Sequence, residues 1–254
     1  MHAGDLLREW RTRRRLSQLT LSLEADISAR HLSFLETGRA QPSREMVLHL
    51  AERLEIPLRE RNALLVAAGF APLYSERKLD DPEMSAARAA IDIVLAGHEP
   101  YPALAVDRHW NLITANRAVA PFFEGIDASL VEPPVNVLRA SLHPKGLAPR
   151  IVNYEEWRTH VLERLRRQID VSGDAVLIAL HDELRALPRQ TRAAQPVRDY
   201  AGVVVPLELT AGDRVLRFFS TTTIFGTPVD VTLSELAVES FFPADEATAE
   251  LLRG

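Results

Sequence analysis

Residues 17–38 constrain this chain more than any other stretch. They read Ser-Gln-Leu-Thr-Leu-Ser-Leu-Glu-Ala-Asp-Ile-Ser-Ala-Arg-His-Leu-Ser-Phe-Leu-Glu-Thr-Gly. Ser17 stands just ahead of an apolar-periodic run, where its hydroxyl can accept from free backbone N–H groups at a helix start. Leu21 and Ala25 lie one turn apart on an inner face. Ser22 is small, as close helix crossing requires. The Asp26-Ile27 step predicts a tight turn whose first residue enters the left-handed region, which Asp tolerates. Ser28 caps a second helix. Leu32 and Leu35 point inward from it, while Ala29, Arg30, Ser33 and Phe34 point outward or sideways. Gly38 ends it. The prediction is two short helices fixed by one turn, the second presenting small, polar and basic groups. Such a helix suits the DNA major groove.

Further helices are expected on either side. The first runs near Asp5 to Arg14. A fourth spans Ser43 to Leu54, with Val47, Leu50, Ala51 and Leu54 inward. A fifth follows Pro57, a good first-turn residue, and ends near Gly69. Residues 1–72 thus form an all-α unit of five helices. Residues 73–82 look like a polar linker, and residues 83–254 form a second domain. There, a helix from Glu83 to Leu95 precedes strands at Ala103–Val106 and Asn111–Ala115. Asn116 is expected to cap a helix reaching Phe123, and a Pro-rich loop follows. Trp157, Val161, Leu165 and Ile169 mark one amphipathic helix. Val176, Leu177, Leu180, Leu184 and Leu187 mark another. Strands are expected at Ala201–Leu209, Arg214–Phe225 and Val229–Leu233, with Pro206 putting the first at an edge or bulge.

Composition narrows the function classes. The 254 residues suffice for two domains, and 46% hydrophobic content for a core in each. No apolar run reaches the length of a membrane span, and arginines break the first apolar stretch, so neither a membrane helix nor a signal peptide is expected. With no cysteine there is no disulfide framework, thiol chemistry or Cys-based zinc site. A cytoplasmic protein is the expectation. Charge divides unevenly: residues 1–72 carry a net +2, and the remainder carries −7 of the overall −5. The acidic part repels DNA, so its job lies elsewhere.

The N-terminal pattern resembles the XRE family of phage-repressor-like helix-turn-helix proteins over about residues 4–70. The match includes Leu16-Ser17-Gln18, Glu36-Thr37-Gly38-Arg39, Pro42-Ser43 and Leu50-Ala51-Glu52-Arg53-Leu54. Asp26 and Arg15 depart from it, since the family favours Gly at both places. The resemblance implies that Gln18 and the cap Ser28 touch the DNA. It puts Ala29, Arg30, Ser33 and Phe34 on the groove-facing side of the recognition helix. An Arg fork suits guanine O6 and N7, and Arg39 and Arg44 suit phosphate. Arg11 and Glu36 match a structural pair joining the first helix to the end of the recognition helix.

The order of elements from residue 83 resembles a PAS-like domain. Pro102 to Asn111 with Asn116-Arg117-Ala118 resembles the opening of the MmyB-like regulator ligand-binding domain. So do Asn136 to Arg139, Leu142-His143-Pro144, Gly146 to Arg150 and Thr222 to Asp230. The expected fold is therefore α+β in two domains: a five-helix helix-turn-helix domain, then a PAS-like α/β sensor domain with an antiparallel sheet. The resemblance implies an elongated, fatty-acid-like ligand.

No Gly-rich phosphate loop, Gly-x-Ser-x-Gly or His-Glu-x-x-His occurs, so neither an enzyme nor a metal site is expected. No cofactor is expected beyond a bound fatty acid or similar small molecule. Arg139, His143 and Arg150 are candidates for holding its polar end, because charge-assisted hydrogen bonds are strong. Trp157, Phe218 and Thr222 are candidates for the apolar wall. The expected partners are double-stranded operator DNA, a small molecule and a second copy of the chain, but no membrane. Two other readings stay open: a constitutive DNA-binding repressor whose second domain only dimerises, and a flavin or haem sensor.

Overall fold

The computed structural model describes residues 2–189, 205–226 and 228–253. They divide into two compact units. One runs to Arg77 and includes residues 228–234; the other takes the remainder from Lys78.

The first unit opens with α1 (Ala3–Arg13), α2 (Gln18–Glu24), α3 (Ala29–Glu36), α4 (Arg44–Arg53) and α5 (Leu58–Ala67). Local chemistry sets their starts: the Oγ atoms of Ser17, Ser28 and Ser43 accept from the N–H groups of Thr20, His31 and Met46. Arg15 and Asp26 adopt φ of 58° and 50°, so both departures from Gly still turn through the left-handed region. Leu7, Leu21, Leu32, Leu35, Leu50, Leu54 and Leu64 are fully buried together. Each such Leu contributes about 1.5–3 kcal/mol through area removed from water. Gly4 lets α1 run against the end of α3: a Cβ there would lie 2.4 Å from the Leu35 carbonyl oxygen.

Residues 73–77, read from sequence as the start of a linker, are instead held on α5. Asn62 Oδ1 accepts from the N–H groups of Leu73 and Tyr74, each at 3.0 Å, and its Nδ2 donates to the Tyr74 carbonyl at 2.7 Å. Residues 228–234 then return to the same unit. The Val231 N–H donates to the Ser75 carbonyl at 2.8 Å, and Thr232 Oγ1 donates to the Arg77 carbonyl at 2.6 Å. Arg77 Nη1 bonds the buried Asp230 carboxylate at 3.2 Å. The strand expected at Val229–Leu233 does not form: Val231–Ser234 is a helical turn (α11) that packs on α5 and buries Val231 fully. Asp230 drives the turn, because its Oδ1 accepts the Thr232 N–H at 2.9 Å.

In the second unit a 3-10 turn leads into α6 (Ser85–Gly97), followed by β1 (Ala103–Val106), β2 (Leu112–Ala115) and the short α7 (Ala120–Phe123). Then come α8 (Val137–Leu142), α9 (Tyr154–Ser172), α10 (Ala175–Ala186), β3 (Leu207–Ala211), β4 (Arg214–Ile224), β5 (Ala237–Pro243) and α12 (Glu246–Arg253). The strands form one antiparallel sheet in the order β2-β1-β5-β4-β3. One face carries Leu104, Val106, Leu209 and Phe218 against Trp157, Val161 and Leu165 of α9 and Leu177, Leu180 and Leu184 of α10. Strand alternation sends Ala103, Ala105 and Val238 to the other face, under Ile91 and Leu95 of α6.

Several expectations shift here. The strand expected at Ala201–Leu209 begins only at Leu207, just after Pro206, and residues 201–204 lie outside the described residues; β3 is an edge strand. The strand expected to reach Phe225 stops at Ile224. Asn116 stands at the head of the turn it was expected to cap, but its side chain does other work. Its Oδ1 accepts the Ala103 N–H, and its Nδ2 donates to the Leu95 and Tyr101 carbonyls, stitching α6 to β1. A Pro-rich loop was expected before Trp157, but that stretch contains α8, capped by Asn136.

Candidate DNA-binding surface and ligand cavity

On α3 the inward positions Leu32 and Leu35 are fully buried, and the outer side carries the residues singled out from sequence. Arg30 is exposed, and Ala29, Ser33 and Phe34 are half-buried. The Phe34 ring lies between two cations: the Arg30 guanidinium carbon is 5.3 Å from its centroid and that of Arg39 is 5.9 Å away. These cation–π contacts fan the two arginines across one aromatic anchor. Arg44 is exposed on the first turn of α4. None of Arg30, Arg39 and Arg44 makes a salt bridge among the described residues, so their charge is available to phosphate and base edges. Ser28 is committed to capping.

Behind this surface lies a network that sets the angle of α3. The Glu36 carboxylate accepts from Arg11 Nε at 2.6 Å, Arg11 Nη2 at 2.9 Å and Gln18 Nε2 at 2.8 Å. Arg11 Nη1 also donates to the Leu16 carbonyl at 2.8 Å. Three helices therefore converge on one buried carboxylate. Gln18, expected at the DNA, is tied into this network through its amide nitrogen.

The second unit holds a partly open cavity of about 100 Å³ between the sheet and α9. Trp157 and Phe218 line it, with Leu104, Trp110, Phe122 and Leu138. Its polar lining comes from residues that sequence reasoning passed over: Ser141, His160, Arg164 and Glu239. Thr222, expected on the apolar wall, is exposed and is not among the lining residues; it pairs with Glu239 across β4 and β5, which puts the two side chains on one face. Thr222 Oγ1 donates to Glu239 Oε1 at 2.7 Å and accepts from Arg164 Nη2 at 2.6 Å. Arg164 completes the clamp with Nη1 on Glu239 Oε2 at 2.9 Å and Nη2 on Oε1. Its guanidinium lies 4.5 Å over the Trp110 ring. Ser141 Oγ accepts from Trp157 Nε1 at 3.0 Å. His160 stacks on Trp157, and burial, then the charges of Arg164 and Arg167, push its pKa down.

Arg139, His143 and Arg150 do not line this cavity. Arg139 grips Glu183 through Nε and Nη2 at 2.6 and 2.7 Å. His143 Nδ1 accepts the Lys145 N–H, and Arg150 Nη1 is directed at the carbonyls of Pro121, Phe122 and Glu124. The signal for the polar lining was present but easily misread. Glu239 is the one acid within β5, set on its apolar face, and Arg164 hides in the basic run of α9.

A second polar cluster joins the β1–β2 turn to the α9–α10 junction. Arg108 bonds Asp174, and its Nη1 donates to Glu235 at 2.8 Å; His109 Nε2 lies 3.0 Å from Asp174 Oδ2. Burial pushes the Asp174 carboxyl up, but the bonds from His109, Arg108 and the Val176 N–H outweigh it and hold the pKa at about 2.

Among the described residues no cluster of three or more His, Asp or Glu side chains is placed to hold a metal, and no helix is long and apolar enough to cross a membrane. Comparison with known proteins finds two family models along the chain. A helix-turn-helix family model matches residues 7–61, and that of the MmyB-like transcription regulator ligand binding domain matches residues 87–254. No curated protein matches the chain. The chain is a DNA-binding transcription regulator with a ligand-binding domain, and it belongs to the MmyB-like family of such regulators.

Proposed function

We propose that this regulator reads a specific operator as a homodimer, and that a small, largely apolar, acyl-like molecule bound between the sheet and α9 shifts its DNA affinity. The cavity carries the reading: its walls are almost wholly apolar, with a few polar groups from Ser141, His160, Arg164 and Glu239 among them, as small-molecule sites are built. Its volume of about 100 Å³ far exceeds the ~10–15 Å³ one water needs, but falls below the ~300–1,000 Å³ of drug-sized ligand sites. That size favours a compact ligand over a flavin or haem. It also favours a sensing role over the reading in which the second domain only dimerises.

A single small recognition helix reads few base pairs, so specificity calls for two half-sites one helical turn apart. The exposed Ile93 and Val94 on α6 support self-association, since exposed apolar groups on one helix gain by burial. Sedimentation at micromolar concentration, with and without operator, should show a dimer. A monomer in both conditions would remove the dimer from the reading.

The DNA surface is tested on an operator selected from random duplexes. Arg30→Ala should relax selectivity at one base position by about 1–3 kcal/mol, as for a lost bidentate contact. Arg39→Ala should weaken all sequences alike and flatten the salt slope by about one unit. Unchanged selectivity in Arg30→Ala refutes the assignment. A ligand extracted from the purified protein should change operator affinity when added back, which requires that it favour one conformation over another.

A further inference from the structure

We infer that the cavity selects an apolar ligand with an uncharged, hydrogen-bonding head group and rejects the matching carboxylate. This rests on the cavity being the ligand site, and it narrows the chemical class that site takes.

The selection is electrostatic. Arg164 is the cation of the lining, and both ends of its fork are already engaged by Glu239. Glu239 is buried within the sheet, and Thr222 also donates to it, so the acid is fixed in place. The stacking of Arg164 on Trp110 fixes the other partner. Among the described residues the lining thus contains one positive and one negative charge, locked together. His160 adds none near neutral pH, since burial and the neighbouring arginines lower its pKa.

A ligand carboxylate buried in this space loses its hydration and finds no unpaired cation among the described lining residues to replace it. Burying a charge without a partner is expensive. Taking Arg164 from Glu239 only transfers the problem, because it leaves a buried acid unpaired. Glu239 would then face the ligand as a like charge. A hydroxyl, ester, lactone or amide meets no such obstacle: the His160 ring and the Ser141 hydroxyl in the lining offer it neutral hydrogen-bonding partners. The ion pair therefore acts as a filter on the head group, discriminating by what it repels.

The experiment compares matched pairs by calorimetric titration of the full-length protein at neutral pH: 1-octanol against octanoate, and the same pairs for the hexyl and decyl chains. The alcohol should bind about tenfold or more tightly in each pair. In Glu239→Gln, which frees the guanidinium, the preference should invert toward the acid. In the Arg164→Gln/Glu239→Gln double variant, which removes both charges, the alcohol should again be preferred. Wild-type protein that binds octanoate as tightly as 1-octanol overturns the inference and leaves the ligand reading intact. Failure of both to bind up to their solubility limits, at every chain length, overturns the ligand reading itself.

Discussion

Replacing Glu36 by Gln tests whether its network holds the recognition helix. The carboxylate side chain is 1% exposed and accepts three hydrogen bonds, two from an arginine that is itself only 13% exposed. An amide has one acceptor oxygen, and its NH2 would face donors on Arg11 and Gln18. At least one Arg11 bond is therefore lost, and the guanidinium keeps its charge without its counter-charge. Breaking a buried pair from one side costs about 3–5 kcal/mol. The Leu16 carbonyl and the residual exposure of Arg11 soften this, so about 3 kcal/mol is expected, near the lower bound. At 1.4 kcal/mol per decade this is on the order of a hundredfold faster amide exchange in segments that open with the first unit. Hydrogen exchange read by mass spectrometry on peptides covering α1 and α3 should show that acceleration. Peptides from α9 and the sheet serve as internal controls and should not move. A double change of Arg11 and Glu36 to Met should recover much of the loss, since an apolar pair avoids the orphaned charge. Exchange in α1 and α3 within about threefold of wild type would show that the network does not hold the recognition helix, as would equal acceleration in the second unit.

Two further outcomes follow from packing and titration. Gly4→Ala sets a Cβ 2.4 Å from the Leu35 carbonyl oxygen, so α1 must move off α3; a loss of roughly 1–3 kcal/mol is expected by urea denaturation, and an unchanged midpoint counts against the close approach. Asp174, held at about 2, is depressed below its unfolded value, so its contribution of about 2 kcal/mol is present above pH ~4 and is lost as pH falls toward 2. The urea midpoint of the second unit should fall over that window, and Asp174→Asn should flatten the fall; an identical acid profile in the variant would show that the cluster carries no such linkage.

What was legible in the sequence was mostly what is local. Ser17, Ser28 and Ser43 announce helix starts because the cap chemistry lies within three residues of each. The bounds of β1 were read off directly, since Ala103–Val106 is a short apolar run between turns. The arrangement of α3's outer face followed from helical spacing alone. What failed is non-local. β5 was missed because Glu239 and Pro243 make it read as irregular, and its identity comes from pairing with β1 and β4, which lie far away in sequence. The β-branched residues at Val229–Thr232 suggested a strand, but Asp230 and the surface of α5 decide their conformation. The cavity's polar end was sought in a loop-rich stretch, where charges are conspicuous. Its charged pair comes from one residue on a helix and one on a strand that meet only through the fold.

The return of residues 228–234 to the first unit bears on how such regulators can be taken apart and recombined. The helix-turn-helix unit is not a continuous stretch of chain: its last piece is encoded more than 150 residues after Arg77, between β4 and β5. A fragment ending at residue 77 lacks Val231, Asp230 and Thr232, and with them the apolar cover on α5 and two of the bonds that Arg77 makes. Grafting a new reading head onto this sensor, by experiment or by recombination between genes, means transplanting two segments that must match each other. The surface of α5 and the β4–β5 connection are therefore expected to change together, as a lock and its key are recut as a pair.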